Sequence, residues 1–197
     1  GVGENLQSLQ DLGFENMLGI DPYNADEIRY DSGLTIRNID IHEVEGEWDL
    51  IMFHHSFEHI PDPSETLDTV AGLLAVDGHC LIRIPTVSSY AWRHYGVDWV
   101  QLDAPRHIFL HSAESMNILA NRAGMQIWNV RYDSRSFQFW GSEQYAKDIP
   151  LRAEQSYLLD PELSIFTKSD MAAYARHSKK LNRDNQGDQA IFYLRKT

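Results

Sequence analysis

The sequence predicts an α/β fold in which helices cover a mostly parallel sheet, and three observations carry that expectation. Helix-like and strand-like segments alternate through the first two thirds of the chain, the order expected of strand-helix-strand units. The run WDLIMFHH, from Trp48 to His55, has the apolar centre of a buried strand. Of 197 residues, 43% are hydrophobic and 23% charged, a balance that supplies one globular domain with a real core.

Taken in order, Leu6, Leu9 and Leu12 follow a glycine pair at helical spacing, and Gly13 ends that helix as a C-terminal cap. A short strand from Asn16 to Ile20 stops at Asp21-Pro22, and Leu34 to Ile41 reads as the next strand before Trp48 to His55. Asp62-Pro63-Ser64 opens a helix through Leu74, because proline suits a first helical turn. Asp77-Gly78 then makes a turn into a strand from His79 to Ile84, which Pro85 terminates. The aromatic stretch that follows is too irregular for a long helix and too apolar for a free linker, so it reads as a structured lid. Ser112 or Ala113 starts a helix that ends at Gly124, and a strand runs from Met125 to about Tyr132. A polar, helix-prone segment spans Ser142 to Lys180, and QAIFYLRK, Gln189 to Lys196, alternates as a closing strand.

A formal net charge of −12 argues against a nucleic-acid partner or an anionic membrane, since most of the surface repels a polyanion. Cys80 is the only cysteine and lies in an apolar run, which excludes a disulfide framework or a cysteine zinc cluster within one chain. No stretch approaches the roughly 18 apolar residues of a membrane span, and the N-terminus shows no secretory pattern. A soluble protein of the cytoplasm is the expectation.

Gly1-Val2-Gly3 before an amphipathic helix has the form of a nucleotide loop, in which glycines let backbone approach a ligand at a helix N-terminus. Leu6 stands where a dinucleotide fingerprint would place its third glycine. Asp21, at the end of the following strand, is placed to accept hydrogen bonds from both ribose hydroxyls, with a strand-end turn formed with Pro22 as the structural alternative.

GVGENLQSLQDLGFENMLGIDPY resembles the end of the first cofactor motif, the next helix and the second strand of class I S-adenosylmethionine-dependent methyltransferases. WDLIMFHHSFEHIPDP is similar to the fourth strand and Glu-His turn of that superfamily, and LLAVDGHCLIRIPT to its helix and fifth strand. WVQLDAPRHIFLHSAESMNILANRAGM is similar to the Pro-Arg-His segment of the type 11/23 branch, so the resemblance covers about residues 1–132. It implies a Rossmann-like three-layer sandwich, with a sheet ordered 3-2-1-4-5-7-6, S-adenosylmethionine as cofactor and a small-molecule acceptor. Length, composition and the order of segments predict a single domain over 1–197, with a cofactor-binding half (1–85), a lid or substrate loop (86–111) and a C-terminal half (112–197) closed by an antiparallel strand.

Carried over, the resemblance makes Gly1 and Gly3 the last two glycines of the cofactor loop and Asp21, with Pro22 beside it, the ribose site. Asp40 falls where the family places an acid against the adenine amine, and His54 where strand-end backbone borders the methionine moiety. A solvated turn acid and a satisfied strand-end histidine are the structural alternatives. Nothing precedes Gly1, so the chain is expected to begin partway through its first motif and to lack the first central strand. The second and fourth strands would then expose edges that invite a homodimer or re-pairing.

Methyl transfer from a sulfonium is an in-line displacement, helped by contact between donor and acceptor and by exclusion of water. A hydroxyl acceptor adds the need for a base near neutral pKa, and His59 and His107 are the candidates, which gives O-methylation a slight preference. Arg106 would pair with an acidic group on the acceptor, and Tyr90, Trp92, Tyr95 and Trp99 would line its pocket. The structural alternatives are a lid-anchoring cluster of Arg106 and His107 with Asp98 or Asp103, and an aromatic core within the lid. His55-Ser56-Phe57-Glu58-His59 also matches the H-x-x-E-H zinc pattern. That pattern needs a stable helix, which Pro61, Pro63 and the adjoining strand end oppose. No metal is expected, and a third ligand would have to come from His79, His94, His107 or His111. The competing functional classes are a noncatalytic interaction module and a nicotinamide-dependent oxidoreductase.

Overall fold

A computed structural model describes residues 1–197 and divides them into two units, 1–47 and 48–197. In the first unit, helix α1 (Glu4–Asp11) precedes three short strands, β1 (Leu18–Ile20), β2 (Ile28–Arg29) and β3 (Thr35–Arg37). Gly13 follows α1 with φ +90° and donates its N–H to Gln10 at 2.9 Å, which ends the helix as its sequence predicts. The sheet runs β1-β3-β2, with β1 parallel and β2 antiparallel to β3. The two-residue β2 was not expected from the sequence. Leu34 and Ile36 are the buried apolar side chains of this unit, and Ile36 fills the space that a side chain at Gly19 would occupy.

The second unit holds β4 (Trp48–His54), α2 (Pro63–Leu73), β5 (Leu74–Pro85), α3 (Tyr90–Tyr95), α4 (Ala113–Arg122), β6 (Met125–Tyr132), α5 (Phe137–Tyr145), α6 (Lys168–Arg183) and β7 (Gln189–Lys196). Its sheet is ordered β4-β5-β7-β6, with β4 and β5 parallel and β7 antiparallel to both neighbours. With β1 and β3 read as the family's second and third strands, the orders within the two sheets are 3-2 and 4-5-7-6. The α/β class and the antiparallel closing strand follow the expectation; β1 and β4 are each the last strand of their sheet.

Local chemistry fixes the helix starts. Asp62 accepts the N–H of Glu65 at 3.0 Å with Pro63 in the first turn of α2, and Ser112 and Ser115 form a reciprocal capping box on α4. The expected turn at Asp77-Gly78 is corrected: these residues lie inside β5, where the pairing jumps from Trp48↔Leu74 to Leu50↔His79. Gly78 permits this bulge, since a Cβ there would stand 2.8 Å from the Trp48 carbonyl oxygen. The polar segment expected from Ser142 to Lys180 is two helices, α5 and α6, joined by turns through residues 146–167. Residues 86–111 contain α3 and two 3-10 turns, Gly96–Asp98 and Val100–Leu102, and they bury Trp99 completely. No helix is long and apolar enough to cross a membrane.

Candidate functional site

In the first unit the glycine loop and the strand-end acid stand side by side. Gly3 adopts φ +79° immediately before α1, and a Cβ there would lie 2.5 Å from Ile36 Cδ1, so both the turn and the packing call for glycine. The Asp21 carboxylate lies against the Gly1 nitrogen and accepts the N–H of Tyr23 at 2.8 Å. Asn24 donates to the Gly1 carbonyl at 3.1 Å, which ties the loop to the segment after β1. Pro22 stands in the turn that follows Asp21. Two glycines on either side of Val2, next to a carboxylate, fit an adenosyl cofactor with ribose hydroxyls to bind. Asp40 caps the 3-10 turn Ile41–Glu43, accepting the N–H of His42 at 3.1 Å while the Glu43 carboxylate accepts the N–H of Asp40 at 2.8 Å. It is half exposed.

In the second unit the C-terminal end of β4 opens into a cluster of imidazoles. His54 ends the strand, and burial, followed by the Arg83 charge, holds its pKa below the ordinary range. His55 takes φ +52°, a conformation that costs of the order of 1 kcal/mol outside glycine, and its N–H bonds the Arg83 carbonyl at 2.9 Å. The turned chain forms a 3-10 turn, Phe57–His59, that drives Phe57 and Glu58 inward. The Glu58 carbonyl accepts N–H bonds from Ile108 at 2.9 Å and Phe109 at 3.2 Å, which docks the Pro-Arg-His segment on this turn.

That docking brings His59 and His107 together, with ring centroids 5.0 Å apart. Nδ1 of His59 lies 2.8 Å from the Arg106 carbonyl, and Nδ1 of His107 lies 2.8 Å from the Gln101 carbonyl. A carbonyl only accepts, so each Nδ1 carries the proton and each Nε2 presents a lone pair in the neutral ring. Glu58 is 1% exposed and neither carboxylate oxygen has a hydrogen-bond donor. His55 Nδ1 at 3.5 Å and His107 Nε2 at 4.0 Å are its nearby ring nitrogens, and neither makes a hydrogen bond to it. The sequence singled out both histidines but gave Glu58 no role outside the zinc pattern; its signal was the Glu-His pair at a strand end.

Arg106 is ion-paired with Asp103, and both line a cavity of about 390 Å³ together with Tyr145 and Arg152. Burial, followed by the Asp103 charge, raises the Tyr145 phenol above its ordinary pKa. A second cavity of about 230 Å³ is lined by Arg83, Ser134 and Asp188 among others, and Gln101 and Phe137 border both. Tyr90, Trp92 and Trp99 line neither of these two cavities. Trp99 instead donates from Nε1 to buried Asp188 at 3.1 Å and packs edge-on to Trp92, while Tyr90 stacks on His94. Tyr145 and Arg152 lie in the polar, helix-prone segment from Ser142 to Lys180, in which the sequence reading names no site residue.

A glycine loop before a helix, with an acid at the end of the next strand, is the arrangement by which Rossmann-like α/β domains bind nucleotide-type cofactors. Residues 1–130 match a family model described as a methyltransferase domain, and the chain belongs to that family. No curated protein matches the sequence. Among solved structures, a S-adenosylmethionine-dependent methyltransferase from Archaeoglobus fulgidus is 19% identical at a TM-score of 0.58, over 100% of this chain and 82% of that one. The mycolic acid cyclopropane synthase CmaA1, solved with SAH and CTAB, is 15% identical at 0.58, over 100% and 75%. The O-methyltransferase segment StiE O-MT is 14% identical at 0.56, and this chain spans only 64% of its length. At these identities the structures establish the shared fold.

Proposed function

We propose that this chain is the cofactor-binding body of an enzyme that transfers a methyl group from S-adenosylmethionine to a small molecule, with a hydroxyl oxygen as the preferred acceptor. The observation that carries the acceptor preference is the adjacent pair His59 and His107, each with Nδ1 on a backbone carbonyl, which leaves the Nε2 lone pair available in the neutral ring. The cofactor supplies an electrophilic methyl on a sulfonium. Gly1 and Gly3 offer side-chain-free backbone to it, Asp21 accepts from its ribose hydroxyls, and Asp40 and His54 border the remaining parts, as the family pattern implies.

His59 Nε2 takes the acceptor's hydroxyl proton, with His107 beside it to share the charge. Arg106, with Arg152 in the lining of the same cavity, binds an acidic group on the acceptor and so orients it. A net charge of −12 supports a small-molecule acceptor over a nucleic acid.

Calorimetry with S-adenosylmethionine, S-adenosylhomocysteine and NAD, on the chain in its full natural length, tests the class. Binding of the two sulfur compounds and not of NAD is expected; binding of neither sulfur compound makes the domain an interaction module. Turnover of hydroxylated acids followed by mass spectrometry tests the acceptor. His59→Ala is expected to lower kcat about 10²- to 10⁴-fold, the usual share of a general base, and methylation confined to amines or carbon would remove the oxygen preference.

A further inference from the structure

We propose that Glu58, His59 and His107 form a binding site for a divalent transition-metal ion of the zinc class. One ligand atom from each of the three side chains converges, all within 4.8 Å of one another. Metal bonds of about 2.0–2.2 Å set ligand-to-ligand spacings of roughly 3.3 Å in a tetrahedral site. The pair His107 Nε2 and Glu58 Oε1, at 4.0 Å, therefore needs to close by under ~1 Å, within the reach of side-chain rotation.

Two further features point to a ligand. Glu58 is 1% exposed with both oxygens lacking any donor, a cost that a bound cation would remove and that few folds retain without cause. Both imidazoles are also already in the tautomer that a metal requires. Each anchors Nδ1 on a backbone carbonyl at 2.8 Å, the outer contact that orients a ligating ring and leaves Nε2 as its available ligand atom. Two nitrogens and one carboxylate oxygen favour zinc, cobalt, nickel or ferrous iron over magnesium or calcium. Three protein ligands leave a fourth position for water or for an acceptor oxygen.

This set departs from the H-x-x-E-H pattern noted in the sequence. There both histidines of the motif would ligate and the glutamate would stand back. Here the left-handed His55 faces Glu58 Oε1 with Nδ1 at 3.5 Å, and the second imidazole comes from the Pro-Arg-His loop, 48 residues beyond His59. Asp103 Oδ2 lies 3.7 Å from His107 Nε2 but is held by Arg106, which leaves Glu58 as the uncommitted carboxylate. An ion here would use both Nε2 lone pairs and would ionise an acceptor hydroxyl in place of an imidazole. That consequence rests on the methyl-transfer reading; the binding itself does not.

The test is a titration of the chelator-stripped full chain with cobalt(II), without any methyl donor, read by visible d–d absorption. One equivalent per chain, displaced by zinc, is expected, with the absorption lost in Glu58→Gln and in His107→Ala. X-ray absorption of the zinc-loaded wild type, which needs no variant to fold, is expected to show two imidazole nitrogens and no sulfur. Absence of the d–d bands from the folded wild type at excess cobalt overturns the site, as does an unchanged spectrum in both variants or an ion with fewer than two imidazoles. Metal binding with no methyl transfer would leave the site standing and remove the enzymatic reading alone.

Discussion

Asp188 shows how one side chain couples this structure to pH. Burial raises its carboxyl to about 6, against the favouring effect of hydrogen bonds from Trp99 and Ser134. In the unfolded chain the same group ionises near 3.9. As pH rises between about 4 and 6 the unfolded state loses a proton that the folded state keeps, so the stability falls through that window and stays lowered above it. Asp188→Asn, which keeps an acceptor for Trp99 Nε1, is therefore expected to melt above the wild type at pH 7–8 and level with it near pH 3 in calorimetric scans. A gap that grows toward acid would reverse the assignment. Asp21 belongs to the same scale: losing a charged acceptor of about 1.5–3 kcal/mol predicts a tenfold to hundredfold weaker S-adenosylmethionine dissociation constant for Asp21→Ala. An unchanged constant removes it from the ribose role.

Among the elements, β7 was legible to the residue, because Gln189 to Lys196 alternates with one face buried at Ala190, Phe192 and Leu194. Asp77-Gly78 misled for a physical reason. The residues that favour a turn also favour a bulge, and only the neighbouring Trp48 carbonyl decides between them. Gly78→Ala is accordingly expected to cost about 1–3 kcal/mol, as overpacking against backbone does, measured by chemical denaturation; a neutral result would mean that the bulge relaxes freely. The two residues of β2 carry too little pattern to be read. At the site, spacing identified His59 and His107 as types of residue but not as neighbours, since their meeting depends on the hydrogen bonds from Ile108 and Phe109 to Glu58. The absence of donors around Glu58 has no local sequence signal at all.

On the scale of the molecule, the two units differ in what holds them. Residues 1–47 bury Leu34 and Ile36 among their large apolar side chains, whereas residues 48–197 bury Leu67, Ile82, Trp99, Phe192 and many others. With so little apolar area per ordered residue, the first unit opens at low free energy. Hydrogen exchange should find the amides of β1 and β3 exchanging well before those of β5 and β7, and equal protection would contradict this reading. The position of β7 has another consequence, one of timing. Cys80 pairs with Leu194, more than a hundred residues later, and β7 is the strand that joins β5 to β6. At synthesis rates of roughly 5–20 residues per second, β5 emerges from the ribosome and waits on the order of ten seconds for its partner. Through that interval one side of an apolar strand is open to chaperones and to other nascent chains.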